Sequence, residues 1–185
     1  MSTWIVPAAI AAVALYAVTL YNRLVKNRQL AGEGWSGIDV QLKRRSNLIP
    51  NLVDTVKGYA GHERELLERV TELRAQVGRV AEGDVAGRGK LEGMLSGAIG
   101  RLLVVAENYP ELKANENFLE LQETLGEVED EIQMSRRYYN GAARNLNVMV
   151  ESFPSNLVAN KFGFEKRDYF EIDDAGDRAV PAVSF

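Results

Sequence analysis

The residue types that could carry out chemistry are few in this chain. It has one histidine, His62, and no cysteine. His62-Glu63 begins like the HExxH zinc motif, but Leu66 stands where the second histidine should be, so a zinc ligand is missing. A di-iron bundle needs Glu-x-x-His pairs on two helices, which one histidine cannot provide. We therefore expect no catalytic site, no metal site and no bound cofactor.

Other catalytic and ligand-binding motifs are missing from the sequence as well. It contains no GxxxxGK[ST], no GxGxxG and no GxSxG. Acidic residues crowd positions 116–131 and could hold a cation loosely, but they lack the spacing of an EF-hand loop. A catalytic or cation-binding bundle is thus the least favoured function.

The composition is that of an ordinary folded protein. Of the 185 residues, 46% are apolar and 26% are charged, which argues against bulk disorder and suits a domain with a core. The net charge is −4, whereas proteins that bind nucleic acids normally present a basic face. We therefore expect no nucleic-acid partner.

Residues 4–21 form an uncharged apolar stretch, WIVPAAIAAVALYAVTLY. As an α-helix this stretch would span ~27 Å, close to the ~30 Å thickness of the hydrocarbon core of a bilayer. Trp4 and Tyr21 bracket the stretch, as aromatic side chains do at the two membrane interfaces. We predict a membrane anchor over residues 1–21 that contacts the lipid bilayer through residues 4–21.

A core helix and a signal peptide are the less favoured interpretations of this stretch. A buried core helix rarely lacks a polar face over such a length. A cleaved signal peptide would need basic residues before the stretch and a small-x-small cleavage site after it, whereas Thr19-Leu20-Tyr21-Asn22 follows.

The orientation of the anchor follows from the basic residues beside it. Arg23, Lys26 and Arg28 come directly after the apolar stretch, and no Lys or Arg precedes it. The positive-inside rule then predicts a single-pass protein of the cell (inner) membrane, with a short amino terminus outside and the bundle in the cytoplasm. An extracytoplasmic bundle is the alternative.

Apolar residues recur at alternating steps of three and four over two long stretches. The first runs from Trp35 to Val80 and is broken only by Arg45 and Glu63; the second runs from Phe118 to Phe153. Such spacing is typical of helices that pack through a narrow apolar seam, as in a coiled coil. We predict an all-α fold, in which an up-and-down four-helix bundle of long helices follows the transmembrane helix.

The helix boundaries are predicted from caps, prolines and glycines. We place the helices at about 22–45, 48–81, 90–107 and 114–153. The first break rests on Pro50, which is tolerated in the first turn of a helix, and on Ser46-Asn47 as N-cap residues. The alternative is one long helix kinked at Pro50.

The bundle is predicted to cover residues 22–160, followed by a separate segment over 161–185. Residues 161–170 are rich in aromatic side chains and are expected to fold back over one end of the bundle, with an exposed binding peptide as the alternative. Residues 171–185 are predicted to be a flexible acidic tail.

Two polar segments would share the membrane-distal end of such a bundle, namely the turn at 46–50 and the loop after the third helix. The basic run Lys43-Arg44-Arg45 would there face Glu107, Glu111 and Glu116. Either a self-satisfied network closes the bundle end, or a cytoplasmic protein docks there. The candidate interaction patch comprises Lys43, Arg44, Arg45, Asn47, Asn51, Glu107, Asn108, Tyr109, Lys113, Asn115 and Asn117.

Two stretches are distinctive as text: WSGIDVQLKRR at 35–45, continued by LIPNLV at 48–53, and ENYPELKANENF at 107–118. Together with FPSN at 153–156, they strongly resemble the LemA family of bacterial membrane proteins. The resemblance implies a single amino-terminal anchor, a mostly helical bundle and no enzymatic activity. Gly32, Gly34 and Gly37 depart from it, because larger helix formers are expected there.

These observations favour a membrane-anchored helical interaction or scaffold protein with unidentified protein partners, and they leave homo-oligomerisation open. The alternative is a regulatory accessory subunit of a membrane signalling or proteolytic system. That alternative uses the third helix, in which Gly93, Gly97 and Gly100 lower the helix stability. Gly93 and Gly97 are spaced as in a GxxxG motif, and we expect this pair to pack closely against a neighbouring helix, with a hinge or docking face as the alternative.

Overall fold

The computed structural model describes residues 4–60, 63–81 and 83–172, and its regular elements are all helical. The helices are α1 (Ile5–Lys57), α2 (Arg64–Val77), α3 (Val85–Ala106), α4 (Pro110–Lys113), α5 (Glu116–Glu151) and α6 (Ser155–Phe162). The described part of the chain contains no strand, so the predicted all-α class is confirmed. Four of the helices are long, and the short α4 and α6 were not predicted. His62 and positions 173–185 of the predicted tail lie outside the described residues.

The predicted turn at residues 46–50 is wrong, because α1 continues without a break through Pro50 to Lys57. The alternative of one long helix through Pro50 holds as far as Lys57. The chain then leaves the helix at Gly58, a residue type with low helix propensity, and α2 begins at Arg64.

A side chain of α2 compensates for the proline inside α1. Proline has no N–H, so the carbonyl of Ser46, four residues earlier, loses its normal helical donor. Arg74 supplies a donor instead, with its Nε 2.8 Å from the Ser46 carbonyl oxygen. This contact satisfies the one carbonyl that Pro50 leaves without a backbone partner, and it ties α2 to α1.

The described residues fall into two compact units. Unit 1 consists of residues 4–38 and 134–169, and unit 2 of residues 39–133 and 170–172. Both α1 and α5 therefore contribute to both units, whereas α2, α3 and α4 belong to unit 2.

The core of unit 2 is built by all four of its long helices. It is made of aliphatic side chains that recur on one face of each helix, with Phe118 at the start of the α5 portion. The main contributors are Ile49, Leu52 and Val56 of α1, Leu67, Val70 and Leu73 of α2, Leu95, Ile99 and Leu102 of α3, and Leu125 of α5. Unit 2 thus contains four packed helical segments, but their boundaries differ from those of the predicted four-helix bundle.

Unit 1 is built from an antiparallel pair of helix segments, α1 and α5. A Cβ on Gly34 would lie 3.0 Å from the Tyr139 Cα, so a side chain here would push the two helices slightly apart. At the next residue of α1, the Trp35 and Tyr139 rings are 5.6 Å apart. Gly34 thus has a packing role that explains one of the departures from the family pattern.

The segment after α6 is held to α5 by polar contacts within unit 1. The Tyr139 hydroxyl donates to the Asp168 carbonyl oxygen at 2.7 Å. The Asn147 side chain donates to the Arg167 carbonyl oxygen at 2.9 Å and accepts from the Arg167 N–H at 2.8 Å. Of the four aromatic residues in 161–170, Phe164 and Phe170 are buried, and Phe162 and Tyr169 are exposed.

Helix α3 starts earlier than predicted because Asp84 caps it. The Asp84 carboxylate accepts the Gly87 N–H at 2.8 Å, which satisfies one of the free donors of the first turn. Gly89 lies against the backbone of Glu171, whose carbonyl oxygen a Cβ at this position would overlap. The expected close packing is wrong for Gly97, which faces open space, whereas Gly93 is buried.

The bond between Arg74 and Ser46 can be tested with a double-mutant cycle. Arg74→Met removes the donor and leaves a partly buried carbonyl unpaired, so the free energy of unfolding should fall by about 1–3 kcal/mol. In a Pro50→Ala background, the introduced alanine can donate its own N–H to Ser46, so the same substitution should cost much less. The measurement is equilibrium denaturation of the full chain in detergent.

Arg69→Met is the matched control, because Arg69 lies on the same helix and pairs with the exposed Glu72. It should change the free energy of unfolding by less than ~1 kcal/mol. Equal losses from Arg74→Met in the two backgrounds would contradict the compensating role.

Candidate functional site

A buried guanidinium forms the polar centre of unit 2. Arg45 is 2% exposed. Its Nη2 lies 2.6 Å from Glu92 Oε2, and its Nη1 lies 2.7 Å from Glu129 Oε2. Nη1 also donates to the Ser96 hydroxyl. Because a buried charge is costly unless it is paired, these four residues, the Arg45 cluster, hold α1, α3 and α5 in one arrangement.

A second set of ion pairs extends the Arg45 cluster along α1 and α3. Arg88 lies 2.7 Å from Asp39, and Lys43 lies 2.7 Å from the other oxygen of the same carboxylate. Burial raises the pKa of Glu92 more than the nearby Arg45 lowers it. Partial burial acts to raise the pKa of Asp39 too, but the hydrogen bonds from Lys43 and Arg88 outweigh it and lower that pKa. Both charges of the Arg45–Glu92 pair are therefore held out of water, and in Glu92 the effect of burial is the larger one.

The predicted pairing of the basic run with Glu107, Glu111 and Glu116 is wrong. Since α1 continues to Lys57, the run lies about three helical turns before the end of the helix and not at a turn. Arg45 points into unit 2, whereas Lys43 and Arg44 are exposed. Lys43 and Arg45 therefore find their partners on α1, α3 and α5.

The connection between α1 and α2 does meet the connection between α3 and α5. The contacts are made by residues that follow the end of α1 at Lys57. The Tyr109 hydroxyl donates to Glu63 Oε1 at 3.2 Å, and Asn115 Nδ2 donates to the Tyr59 hydroxyl at 3.1 Å. Asn115 Oδ1 also accepts the Phe118 N–H at 3.1 Å, which caps the start of α5. Tyr109 and Asn115 thus take part in a network that closes this end. Glu107, Asn108 and Lys113 of the same loop are exposed.

Two further residues of the candidate patch line a common groove. Asn51 of α1 and Asn117 of α5 belong to a depression of about 610 Å³ within unit 2. The other residues lining this polar groove are Leu48, Asp54, Thr55, Glu120, Leu121 and Thr124. Asn47 is exposed and does not line the groove. The candidate patch is therefore divided between the polar groove, the connection network and the Arg45 cluster.

Sequence reasoning missed Glu92, Ser96 and Glu129 as partners of Arg45. One signal was present, because Arg45 interrupts an otherwise apolar series at a position that faces the core. A charged residue at such a position predicts a buried counter-charge on another helix. The sequence offers many carboxylates, so their identity depended on which helices pack together.

The predicted anchor, from Trp4 to Tyr21, corresponds to the amino-terminal part of α1 and the residue before it. Trp4 is exposed just before α1, and Tyr21 contacts the rings of Phe162 and Phe164 at centroid distances of 4.9 and 5.7 Å. Among the described residues, α1 is the one helix that is long and apolar enough to cross a membrane. Its apolar side chains from Ile5 to Val18 are exposed, as an anchor requires.

The described ranges contain no group of three His, Cys, Asp or Glu side chains placed to hold a metal ion. What they do contain defines a class: an all-α protein whose first helix begins with an exposed apolar stretch and continues into packed helical units. The model of the LemA family matches residues 34–185, and the chain belongs to that family.

Curated relatives match most of the chain. Magnetosome protein MamQ 2 of Paramagnetospirillum magneticum is 28% identical over 86% of this chain and 68% of the relative. Magnetosome protein MamQ of Magnetospirillum gryphiswaldense is 25% identical over the same shares. Protein LemA of Metamycoplasma hominis is 29% identical over 83% of this chain and 69% of the relative. The similarity thus reaches beyond the helices that carry the Arg45 cluster.

Removal of the central cation tests the Arg45 cluster. Arg45→Met leaves the buried Glu92 with only the more distant Arg88, 3.9 Å away, so the free energy of unfolding should fall by about 3–5 kcal/mol. The double variant Arg45→Met/Glu92→Leu removes both charges and should recover most of that loss. Chemical denaturation of the full chain in detergent, followed by far-UV circular dichroism, measures both.

Lys43→Met is the matched control, because it removes a cation two residues away whose side chain is 72% exposed. Its effect should stay within ~1 kcal/mol. A double variant as unstable as Arg45→Met alone would contradict the role of Glu92 as an uncompensated charge.

Proposed function

We propose that this chain is a membrane-anchored interaction or scaffold protein that acts by contact and not by catalysis. The observation that carries the proposal is the first helix. The large apolar side chains from Ile5 to Val18 are exposed, yet the same helix supplies core residues to unit 1 and unit 2. An exposed stretch of this kind is costly in water and favourable in a bilayer. The anchor therefore holds the packed units beside a membrane.

The proposed topology is single-pass, in the inner membrane, with both packed units in the cytoplasm. Its support is the group of basic residues that directly follows the apolar stretch, Arg23, Lys26 and Arg28. The opposite orientation is the alternative. Cleavage by external protease of an epitope placed after residue 185, in intact cells, would contradict the cytoplasmic placement.

The polar groove is the proposed contact site for a protein partner. Asn51 and Asn117 offer amide donors and acceptors there, and Asp54 and Glu120 add negative charge. A surface with basic and amide side chains would complement this lining. We expect no nucleic acid to bind, because acidic residues line the groove and the chain carries a net charge of −4.

A regulatory accessory subunit is the second candidate function. A groove of about 520 Å³ exposes part of the Arg45 cluster beside Gly97, Gly100 and Gly126. A partner that enters this groove would contact the residues that join three helices. Binding there would change the stability of α3. This helix is weak by itself, because each interior glycine lowers its stability by about 1 kcal/mol relative to alanine.

Charged substitutions in the apolar stretch test the anchor. We expect Ile10→Arg/Val13→Arg to move most of the protein from the carbonate-resistant membrane pellet to the soluble fraction, because each Arg costs about 2.5–3.5 kcal/mol at the centre of a spanning helix. The matched control is Val40→Arg/Val104→Arg, at two similarly exposed valines outside the stretch. The control should stay in the pellet. Equal partitioning of the two variants would exclude the anchor.

Site-specific photo-crosslinking in cells tests the contact function. A photoreactive side chain at Asn117 should give discrete adducts, whereas the same group at Arg101, an exposed residue of α3, should give none above background. Asp54→Lys/Glu120→Lys should remove the adducts, because it reverses the charge of the groove. Adducts of twice the mass of the chain would indicate a second copy as the partner. Adducts that persist after charge reversal would contradict the groove as the contact site.

A further inference from the structure

The turn between α5 and α6, together with α6 itself, carries large apolar side chains that are more than half exposed. Phe153 is 78% exposed, Leu157 61% and Phe162 57%. We call these three residues the α6 apolar surface. Side chains of this size contribute ~1.5–3 kcal/mol each when they are fully removed from water, so their joint exposure points to a second apolar environment.

The direction of α5 brings this surface toward the anchor. Gly37 lies against Ser135, Gly34 against Tyr138, and Asn27 Nδ2 lies 3.1 Å from Met149 Sδ. The two helices are therefore antiparallel, and residues nearer the end of α5 lie beside residues of α1 that are nearer the apolar stretch. Met149 and Val150, in the last turn of α5, pack against the cluster that contains Leu24 of α1.

Direct contacts place α6 at the same level. Ala159 and Phe164 pack against Leu24, a buried residue just after the apolar stretch. The Phe162 ring meets the Tyr21 ring edge-on at 4.9 Å. Phe162 thus joins the α6 apolar surface to the end of the stretch, at the aromatic residue that marks its boundary.

We propose that the α6 apolar surface lies in the lipid–water interface of the same bilayer that residues 4–21 enter. This inference rests on the proposed anchor, because continuity with that anchor identifies lipid as the partner. If Tyr21 lies at the interface, side chains in contact with it lie at the same depth. Aromatic rings at that depth are favourable because they present an apolar body to the acyl chains and tolerate the polar head groups.

The charges around the surface suit a bilayer with anionic head groups. Lys161 lies four residues after Leu157 on the exposed face of α6, so its ammonium can extend to the head groups while its stem stays with the apolar side chains. Glu151, the acidic residue nearest to Phe153 in the sequence, is paired with Lys166 at 2.7 Å. The negative charge closest to the surface along the chain is therefore compensated, and the next one, Glu165, is exposed to solvent beyond Phe162.

A fluorescent label at single introduced cysteines tests the proposal, since the natural chain has no cysteine to compete. Leu157→Cys reports on the α6 apolar surface, Val13→Cys on the anchor, and Val104→Cys on a similarly exposed valine of α3. Each full-length variant is labelled with an environment-sensitive dye and reconstituted in vesicles of phosphatidylcholine and phosphatidylglycerol. Lipids spin-labelled near the head group then quench dyes at the interface.

We expect quenching at position 157 to be roughly threefold stronger than at position 104, because interfacial helices sit about 5–10 Å into the boundary between head groups and acyl chains. Position 13 should respond to a quencher deep in the acyl chains. Strong response at 13 with equally weak responses at 157 and 104 would overturn this proposal and leave the anchor intact. No response at 13 would overturn the anchor and the proposal together.

A second variant distinguishes lipid from a second copy of the chain. Lys161→Glu should lower the quenching at position 157 in anionic vesicles and have a smaller effect in pure phosphatidylcholine. A dye signal at 157 that depends on the protein-to-lipid ratio, without quenching by lipid, would overturn the proposal in favour of self-association.

Discussion

The cost of removing the Arg45 guanidinium from water is the constraint on which unit 2 depends. Arg45 takes a position on α1 whose neighbours Leu42 and Ile49 are buried aliphatic residues. A charge at such a position is tolerated only if other helices bring acceptors to it, and α3 and α5 do so through Glu92 and Glu129. Aliphatic packing brings these helices together. The ion pairs add that each helix must have one particular orientation about its own axis, because the charged side chains must face one another.

The length of α1 has a comparable influence on the function. One uninterrupted helix supplies the exposed apolar stretch, a face of unit 1 and part of the core of unit 2. Pro50 would be expected to end such a helix, and the Arg74 guanidinium replaces the backbone donor that Pro50 removes. The continuity of the helix therefore depends on a side chain from α2, and the residues that enter the core of unit 2 after Pro50 depend on it as well.

The surface of this LemA family member divides into parts with different chemistry. The start of α1 and the α6 apolar surface are apolar, and both belong to unit 1. The polar groove belongs to unit 2 and offers hydrogen bonds and charge. This division suits a protein that uses one part of its surface for lipid and another for a partner. It also explains why few residues of the candidate patch act together, since the patch spans a buried cluster, a closing network and an open groove.

The sequence by itself determined the helical class and the apolar stretch, because both follow from short-range properties: the spacing of apolar residues and an uninterrupted absence of charge. It also marked Arg45 as an exception within an apolar series. Only the tertiary structure decided that α1 continues through Pro50, because the donor that permits this lies on another helix at Arg74. It likewise decided which carboxylates pair with Arg45, since Glu92 and Glu129 are distant in sequence and meet only when three helices pack. Local periodicity specifies a helix and its buried face, but the partners of a buried charge depend on contacts between helices.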